Sequence, residues 1–524
     1  MWERSVRSVS SNGSRRPQKP HRHRFVQAER GAPLKKQATA VLPQGAPATI
    51  GVDEREKARR TPRNHRKTGI RERVPIMKVA MIAMSGVRAF SEELNRIGMS
   101  LPGFVERGRT IASLPSLGLL TLAGMTADRF EVEYHEIADL RQFDTLPPCD
   151  LAAISTFTAQ VKDAYEVSRR YRAVGTKTVI GGLHATALPE EALCHFDAVV
   201  VGEGELSWPS VLADFEAGWL QGVYHAHGRE FNLADAPMPR FDLLDPEKYN
   251  RLTVQTQRGC PWRCDFCASS ITLTRRYKLK PVPKVIEEIR AIKRIWSRPF
   301  IEFADDNSFV NKKHSKELVR AVAGENVRWF TETDISVGDD PELLDLMRES
   351  GCAQVLIGLE SPTSDGLDGV ELNRNWKRGR FDRYREAIER IQSHGIVVTG
   401  CFVLGLDGHT PQVFEDVRRF VEESGLREVQ ISVLTAYPGT PLYERLRSEG
   451  RLLDETAWEK CTLFDVNVQP LHMSVPELEQ GLIALGQQLY SAEGKRARIG
   501  AFRRQNRLAV PTLGKETIHA GEVG

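Results

Sequence analysis

Three cysteines within eight residues carry the strongest chemical signal in this chain. The segment Arg258-Gly259-Cys260-Pro261-Trp262-Arg263-Cys264-Asp265-Phe266-Cys267 sets thiolates at a C-x3-C-x2-C spacing on one loop. Three such thiolates can bind three irons of a four-iron cluster and leave the fourth iron open. Zinc is the competing reading, but a structural zinc site wants four closed ligands, and no second cysteine pair or nearby histidine pair completes one. Carboxylates recur at the ends of later apolar runs: Asp305 and Asp306 in Phe303-Ala304-Asp305-Asp306-Asn307, Glu332 in Thr331-Glu332-Thr333-Asp334, and Glu360 in Ile357-Gly358-Leu359-Glu360-Ser361. Each of these acids could instead be an N-cap or a loop residue serving local hydrogen bonds. Upstream, Gly181-Gly182 follows an apolar run. A glycine pair there removes the side chains that would keep a ligand tail away from the backbone.

The elements that must position these residues fall into an α/β pattern. From Met77 to about residue 216, short apolar runs at 77–83, 115–126, 131–137, 150–157, 177–181 and 197–201 alternate with helical stretches, one near 160–174. That alternation predicts a doubly wound, Rossmann-like parallel sheet. Residues 217–250 are rich in Pro, Asp and polar positions and read as a linker. Six further runs, 252–257, 299–304, 328–334, 353–359, 396–404 and 427–434, are separated by amphipathic helices and predict a partial (β/α)6 TIM-type barrel over 251–445. Active groups are then expected at the C-terminal strand ends. Residues 446–524 read as a mostly helical C-terminal region whose tail frays past Arg496.

At roughly 100–200 residues per domain, 524 residues allow two to four domains. A hydrophobic share of 41% and a charged share of 27% exclude a wholly disordered chain, and no run of about 18 uncharged apolar residues is present to cross a bilayer. The net charge of +4 hides a split: residues 1–76 hold 19 Lys/Arg and 6 Asp/Glu, and the rest hold 54 against 63. This basic leader has almost no apolar periodicity. A disordered tail, a transit peptide and a start codon placed ahead of Met77 compete as its explanation, and the strand-like run beginning at Met77 favours the last. Eight cysteines, three of them clustered, indicate a reducing, cytoplasmic compartment rather than a disulfide scaffold. Cys352 and Cys401 read as buried free thiols, and Trp329 and Trp376 as core residues or contacts to a flat substrate.

With Phe266 as its aromatic, the cysteine loop resembles the signature of the radical S-adenosylmethionine superfamily, a likeness extending over roughly 250–445. The resemblance implies that Cys260, Cys264 and Cys267 ligate a [4Fe-4S] cluster whose open iron chelates S-adenosylmethionine. One electron then splits the sulfonium to a 5′-deoxyadenosyl radical. It also implies that Phe266, Asp305, Asp306, Glu332, Gly358 and Glu360 surround that cofactor, with Glu332 on a ribose hydroxyl or a substrate. The segment Tyr437-Pro438-Gly439-Thr440-Pro441-Leu442-Tyr443 resembles one common after the last strand in this group.

The upstream segments Gly181–Leu193 and Asp197–Glu205, together with Pro115–Ala123, resemble the cobalamin-binding domains joined to such enzymes. Ser155, 26 residues before Gly181, stands near the spacing those domains use around the nucleotide tail. The resemblance implies that Ser155, Gly181, Gly182, His184, Gly202, Glu203 and Gly204 hold cobalamin. The Asp-x-His-x-x-Gly motif of methionine synthase type domains is absent, and 79–150 offers only His135. A corrin without a protein histidine on cobalt is therefore expected, with His184 lining the corrin or its tail. Taken together, the two domains resemble class B radical methylases, which methylate an unreactive carbon of a small molecule or lipid-like substrate and draw electrons from a flavodoxin or ferredoxin. The likeness includes the hopanoid methylases. Ring closure or rearrangement without methyl transfer, as in the anaerobic magnesium-protoporphyrin cyclases, is the alternative; a cobalamin sensor would need no cysteine loop. Nucleic acid is not expected as a partner, since transfer RNA methylthiotransferases carry further upstream cysteines and an RNA-binding module.

Overall fold

A computed structural model describes residues 76–509 apart from 86, 88, 98–113, 227 and 270–275. The basic leader up to residue 75 and the last residues, 510–524, lie outside the described residues. The first sheet contains β1 (Met77–Met84), β2 (Phe130–Ile137), β3 (Leu151–Ser155), β4 (Lys177–Gly181), β5 (Ala198–Val201) and β6 (Gly222–His225). Its order is β2-β1-β3-β4-β5-β6 and every pair is parallel. β1 shows why these strands read as unbroken apolar runs. Val79, Met81 and Ala83 enter one core with Leu119, Ala123 and Trp208, while Ala80, Ile82 and Met84 enter another with Ala164, Val167 and Phe196. Helices cover both faces, so neither alternate set can be polar.

Two expectations change here. The run 115–126 is a helix, Leu117–Met125, capped by Ser116, whose hydroxyl accepts from the Leu119 N–H. It lacks helical periodicity because the sheet and other chain segments flank it on several sides, and a short, evenly apolar run does not distinguish strand from helix. The connection 217–250 supplies β6 and then returns across that helix, where the Arg240 N–H donates to Leu120 O at 3.0 Å.

The second sheet runs β14-β13-β12-β11-β10-β7, again all parallel, with β7 (Leu252–Val254), β10 (Phe300–Ser308), β11 (Arg328–Thr333), β12 (Cys352–Glu360), β13 (Val397–Leu404) and β14 (Glu428–Val433). These are the six runs expected, each followed by a helix. The helix Pro341–Glu349 begins at its Asp340 cap, whose carboxylate accepts from the Leu343 N–H at 3.0 Å. Outward residues such as Ile301, Trp329, Ile357, Phe402 and Ile431 share one core with those helices. The alternate positions Glu302, Glu332, Gln354, Thr399 and Gln430 face the lumen and are polar. β8 (Gln257–Arg258) and β9 (Lys278–Leu279) form a small antiparallel ribbon that brackets the cysteine loop. The helix Ala492–Ala509 continues well past Arg496, where fraying was expected. Arg498, 6% exposed, anchors it by donating to Leu489 O at 2.7 Å.

A Cβ at Gly124 would stand 2.2 Å from the Met238 carbonyl oxygen. Gly124→Ala would gain about 1 kcal/mol in an isolated helix, but here it must push the returning connection away. A net loss of about 1–3 kcal/mol is expected from chemical denaturation.

Candidate active site

The loop carrying the cysteines is rooted by two adjacent carboxylates of β10 that point to opposite faces. Asp305, 5% exposed, accepts from the Thr256 N–H (2.8 Å) and hydroxyl, the Gln257 N–H (3.0 Å) and the Ser308 hydroxyl (2.7 Å). These donors occupy the lone pairs of a carboxylate. Asp305 is therefore a brace for the loop and does not face a cofactor, contrary to the expectation. Asp306 points the other way, accepting from the Gly259 N–H at 2.7 Å and from the Ser269 hydroxyl, one on each side of the cysteines.

The thiols of Cys260, Cys264 and Cys267 lie within electrostatic reach of one another, and burial pushes Cys260 up to about 11. Among the described residues, no three His, Cys, Asp or Glu side chains are arranged to hold a single metal ion. In a four-iron cluster each cysteine sulfur binds a separate iron, so three neighbouring thiols on one loop fit such a cluster. Asn307 was not singled out by its spacing. Its amide lies 3.5 Å from Cys260 Sγ and 2.9 Å from Asp334 Oδ2, which also accepts from Trp262 Nε1 at 2.9 Å. Trp262 stacks on Trp376 with ring centroids 4.4 Å apart, whereas Trp329 is a core residue stacked on Phe303. The Tyr437–Tyr443 segment also packs here, with the Leu442 N–H donating to Asp265 O at 3.1 Å. Phe266 is half-buried and packs against the apolar cluster that includes Val370, Leu406 and Ala436.

At the end of β12, Glu360 takes a left-handed backbone with φ of 64°. Strain of this kind is held only where the surroundings demand it. Its carboxylate meets Lys377 Nζ at 2.7 Å, and the same ammonium donates to Gly358 O at 2.7 Å. A Cβ on Gly358 would stand 2.3 Å from the Glu360 oxygen, so glycine makes the room for this pair. Burial pushes Lys377 down, but Glu360 and the Cys264 thiol more than reverse it and hold the lysine above its usual range. Lys377 escaped sequence reading because its partners lie 17 and 113 positions away.

A cavity of about 510 Å³ opens at the C-terminal ends of the first sheet, where the order reverses between β1 and β3. Such a switch point is where parallel sheets take ligands. Ser155, Gly181, Gly182, Gly202, Glu203 and Gly204 line one side, and Gln255, Arg258, Ser269, Glu302 and Asp306 the other. Gly182, at φ of 109°, would set a Cβ 3.3 Å from Thr156 O and 3.7 Å from Ser155 Oγ, so a side chain would crowd the cleft. A glycine-lined slot of this kind fits the tail of a large cofactor. His184 is a correction. It is fully buried and lies outside the cavity lining, with Nε2 3.2 Å from Tyr165 Oη and 3.5 Å from Glu191, and its ring 5.3 Å from that of Trp458. On the helix that follows Gly182 its side chain points toward the C-terminal region. Glu203 lines the cavity but spends its carboxylate on Arg258 and Lys278.

In the barrel lumen Arg251 pairs with Glu302, and Glu332 stands beside them. Burial, then the Glu302 and Asp306 carboxylates, push Glu332 up to about 8 against an opposing pull from Arg251. The unfolded chain ionises this group near 4.5. The fold thus keeps a proton that the unfolded chain gives up, and stability falls as pH rises from about 4.5 to about 8. Glu332→Gln should remove that slope, so its melting temperature relative to the unsubstituted protein should be higher at pH 9 than at pH 6. An equal difference at both would show that Glu332 is not held neutral.

Comparison with known proteins agrees with this geometry. The Radical SAM superfamily profile matches residues 254–421, the B12 binding domain matches 112–212, and a domain of unknown function (DUF4070) matches 440–516. The chain is 28% identical over 388 residues to bacteriochlorophyllide d C-12(1)-methyltransferase of Chlorobaculum tepidum, covering 72% of this chain and 83% of that one. It is 27% identical to hopanoid C-2 methylase of Rhodopseudomonas palustris, covering 66% of each. The structure of the radical S-adenosylmethionine methyltransferase TsrM from Kitasatospora setae, with cobalamin and a [4Fe-4S] cluster bound, superposes with a TM-score of 0.56 at 14% identity, covering 83% of this chain and 99% of that one. At that identity the match speaks for the fold. The cysteine loop thus lies within the segment that matches the Radical SAM superfamily, and the glycine-lined cleft within the B12 binding domain match that precedes it.

Proposed function

We propose that this protein is a cobalamin-dependent radical enzyme that transfers a methyl group from S-adenosylmethionine to an unactivated carbon of a small-molecule or lipid-like substrate. The observation that carries the reading is the single cavity shared by the glycine slot of the first sheet and by Arg258, Ser269 and Asp306, which flank or brace the cysteines. When bound, the cluster supplies the electron that breaks a sulfonium bond of S-adenosylmethionine, and the corrin carries the methyl group.

The chain's own residues divide the remaining work. Cys260, Cys264 and Cys267 hold the irons, and the Asn307 amide steadies the Cys260 sulfur. Lys377, a buried ammonium beside Cys264, offers its charge to the carboxylate of S-adenosylmethionine, with Glu360 keeping it charged and oriented. Glu332, protonated at neutral pH, can donate a hydrogen bond to a ribose or substrate oxygen in the lumen. Ser155, Gly181, Gly182, Gly202 and Gly204 admit the cobalamin tail. Leu117, Leu119, Leu122 and Trp208 give the cavity an apolar wall. The reading keeps a corrin bound without a protein histidine on cobalt, as the missing Asp-x-His-x-x-Gly motif implies. None of the eight cysteines is in a disulfide, in keeping with a reducing, cytoplasmic setting, and the reading calls for an electron donor of flavodoxin or ferredoxin type. No helix among the described residues is long and apolar enough to cross a membrane.

The deciding experiment supplies methyl-labelled S-adenosylmethionine and reductant to anaerobically purified, cobalamin-loaded protein with candidate substrates. Label in the product, with both 5′-deoxyadenosine and S-adenosylhomocysteine formed, supports methyl transfer. A new ring or rearranged skeleton without label would replace it with the cyclase reading. Lys377→Met should weaken S-adenosylmethionine binding about 10- to 100-fold, as expected on losing a charged hydrogen bond. Equilibrium binding checks this, and an unchanged affinity would remove Lys377 from the site.

A further inference from the structure

The ribbon that brackets the cysteine loop is tied by its own charges to the wall of the upstream cleft. Arg258 and Lys278 face each other in register across β8 and β9, and Cys260 follows Arg258 by two residues. Both cations reach out of the barrel. Arg258 donates through Nη1 to Glu203 (2.8 Å) and through Nη2 to Glu205 (2.6 Å), while Gln255 Oε1 accepts from its Nε at 3.1 Å. Lys278 Nζ donates to both Glu203 oxygens at 2.7 Å and to Phe231 O at 3.1 Å, and the Phe231 N–H returns a bond to Glu203 at 2.9 Å. The two acids are 9% exposed and the two cations 15%. Moving one member would leave a desolvated charge unpaired, so these residues shift together or not at all.

Glu203 sits between Gly202 and Gly204 on the cavity wall. Gly202 holds φ of 81°, and nothing lies within 4 Å of where its Cβ would be. The Gly202 N–H donates to Thr186 Oγ1 at 3.0 Å, so the turn carrying Glu203 is held from behind while its glycines leave the cavity side open to direct contact with a ligand in the slot. We infer that Glu203 and Glu205 form a clasp through which filling the upstream cleft orders the strand that presents Cys260. They are positioning residues that act through Arg258 and Lys278. The inference rests on the cobalamin reading and adds to it a coupling between the two cofactor sites. Coupling of this kind is reciprocal, so a loaded cysteine loop must favour the filled cleft by the same factor.

Hydrogen exchange of the iron–sulfur protein with and without hydroxocobalamin tests this. In the unsubstituted protein, the ligand should slow exchange at Gly181–Glu205 and also at Gln257–Cys264 and Lys278–Leu279, the latter by about fivefold or more. In Glu203→Gln/Glu205→Gln the cleft should remain protected while the ribbon loses its response. Glu205→Gln alone keeps the Glu203 hub and should lose part of it, which guards against a double variant that folds poorly. Cleft protection with an unresponsive ribbon in the unsubstituted protein would overturn the coupling, and so would a ribbon response that survives in the double variant. No protection at the cleft would overturn the cobalamin reading, and the coupling would fall with it.

Discussion

The carboxylate of Asp305 decides where the cysteine loop can go. A buried charge must be met by donors, or it costs several kcal/mol. Here the donors are the backbone and hydroxyl of Thr256, the backbone of Gln257 and the hydroxyl of Ser308. The chain leaving β7 must therefore turn against β10 before it reaches Cys260. Because neighbouring side chains of a strand face opposite ways, Asp306 grips the same loop from the cavity side through Gly259 and Ser269. Two consecutive residues thus hold one loop from two faces.

The lumen shows a second constraint, the balance of buried charge. Arg251 pairs with Glu302 and Lys377 with Glu360, whereas Glu332 has no such partner, and burial, then the Glu302 and Asp306 carboxylates, make it keep its proton. Buried pairs return little net stability over apolar packing. Their value here is placement: a cation beside Cys264, a neutral acid in the lumen, and a ring of polar side chains inside a barrel whose outer face is apolar.

Between the two sheets, the ion-paired ribbon makes the upstream cleft and the cysteine loop neighbours in one unit. Glycines at the strand ends keep the cleft open, and acids one residue away from them close the junction. A segment that reads as one glycine-rich turn, Gly202-Glu203-Gly204-Glu205, therefore divides its residues between two tasks.

Much of this was legible in the sequence. The six barrel strands, the alternation of the first sheet and the cysteine spacing are local patterns, set by side-chain period and by chain neighbours. Other features were hidden. The evenly apolar 117–125 gave no period to separate helix from strand, β6 lay inside a polar connection, and the direction of His184 depended on Tyr165, Glu191 and Trp458, the last 274 residues away. The sequence by itself determined which chemistry the chain can host, because ligand spacing and strand periodicity are short-range properties. Only the tertiary structure decided which carboxylate braces and which faces the cavity, and which cation stands beside Cys264, because those roles depend on partners tens to hundreds of residues distant and on the burial that only folding creates.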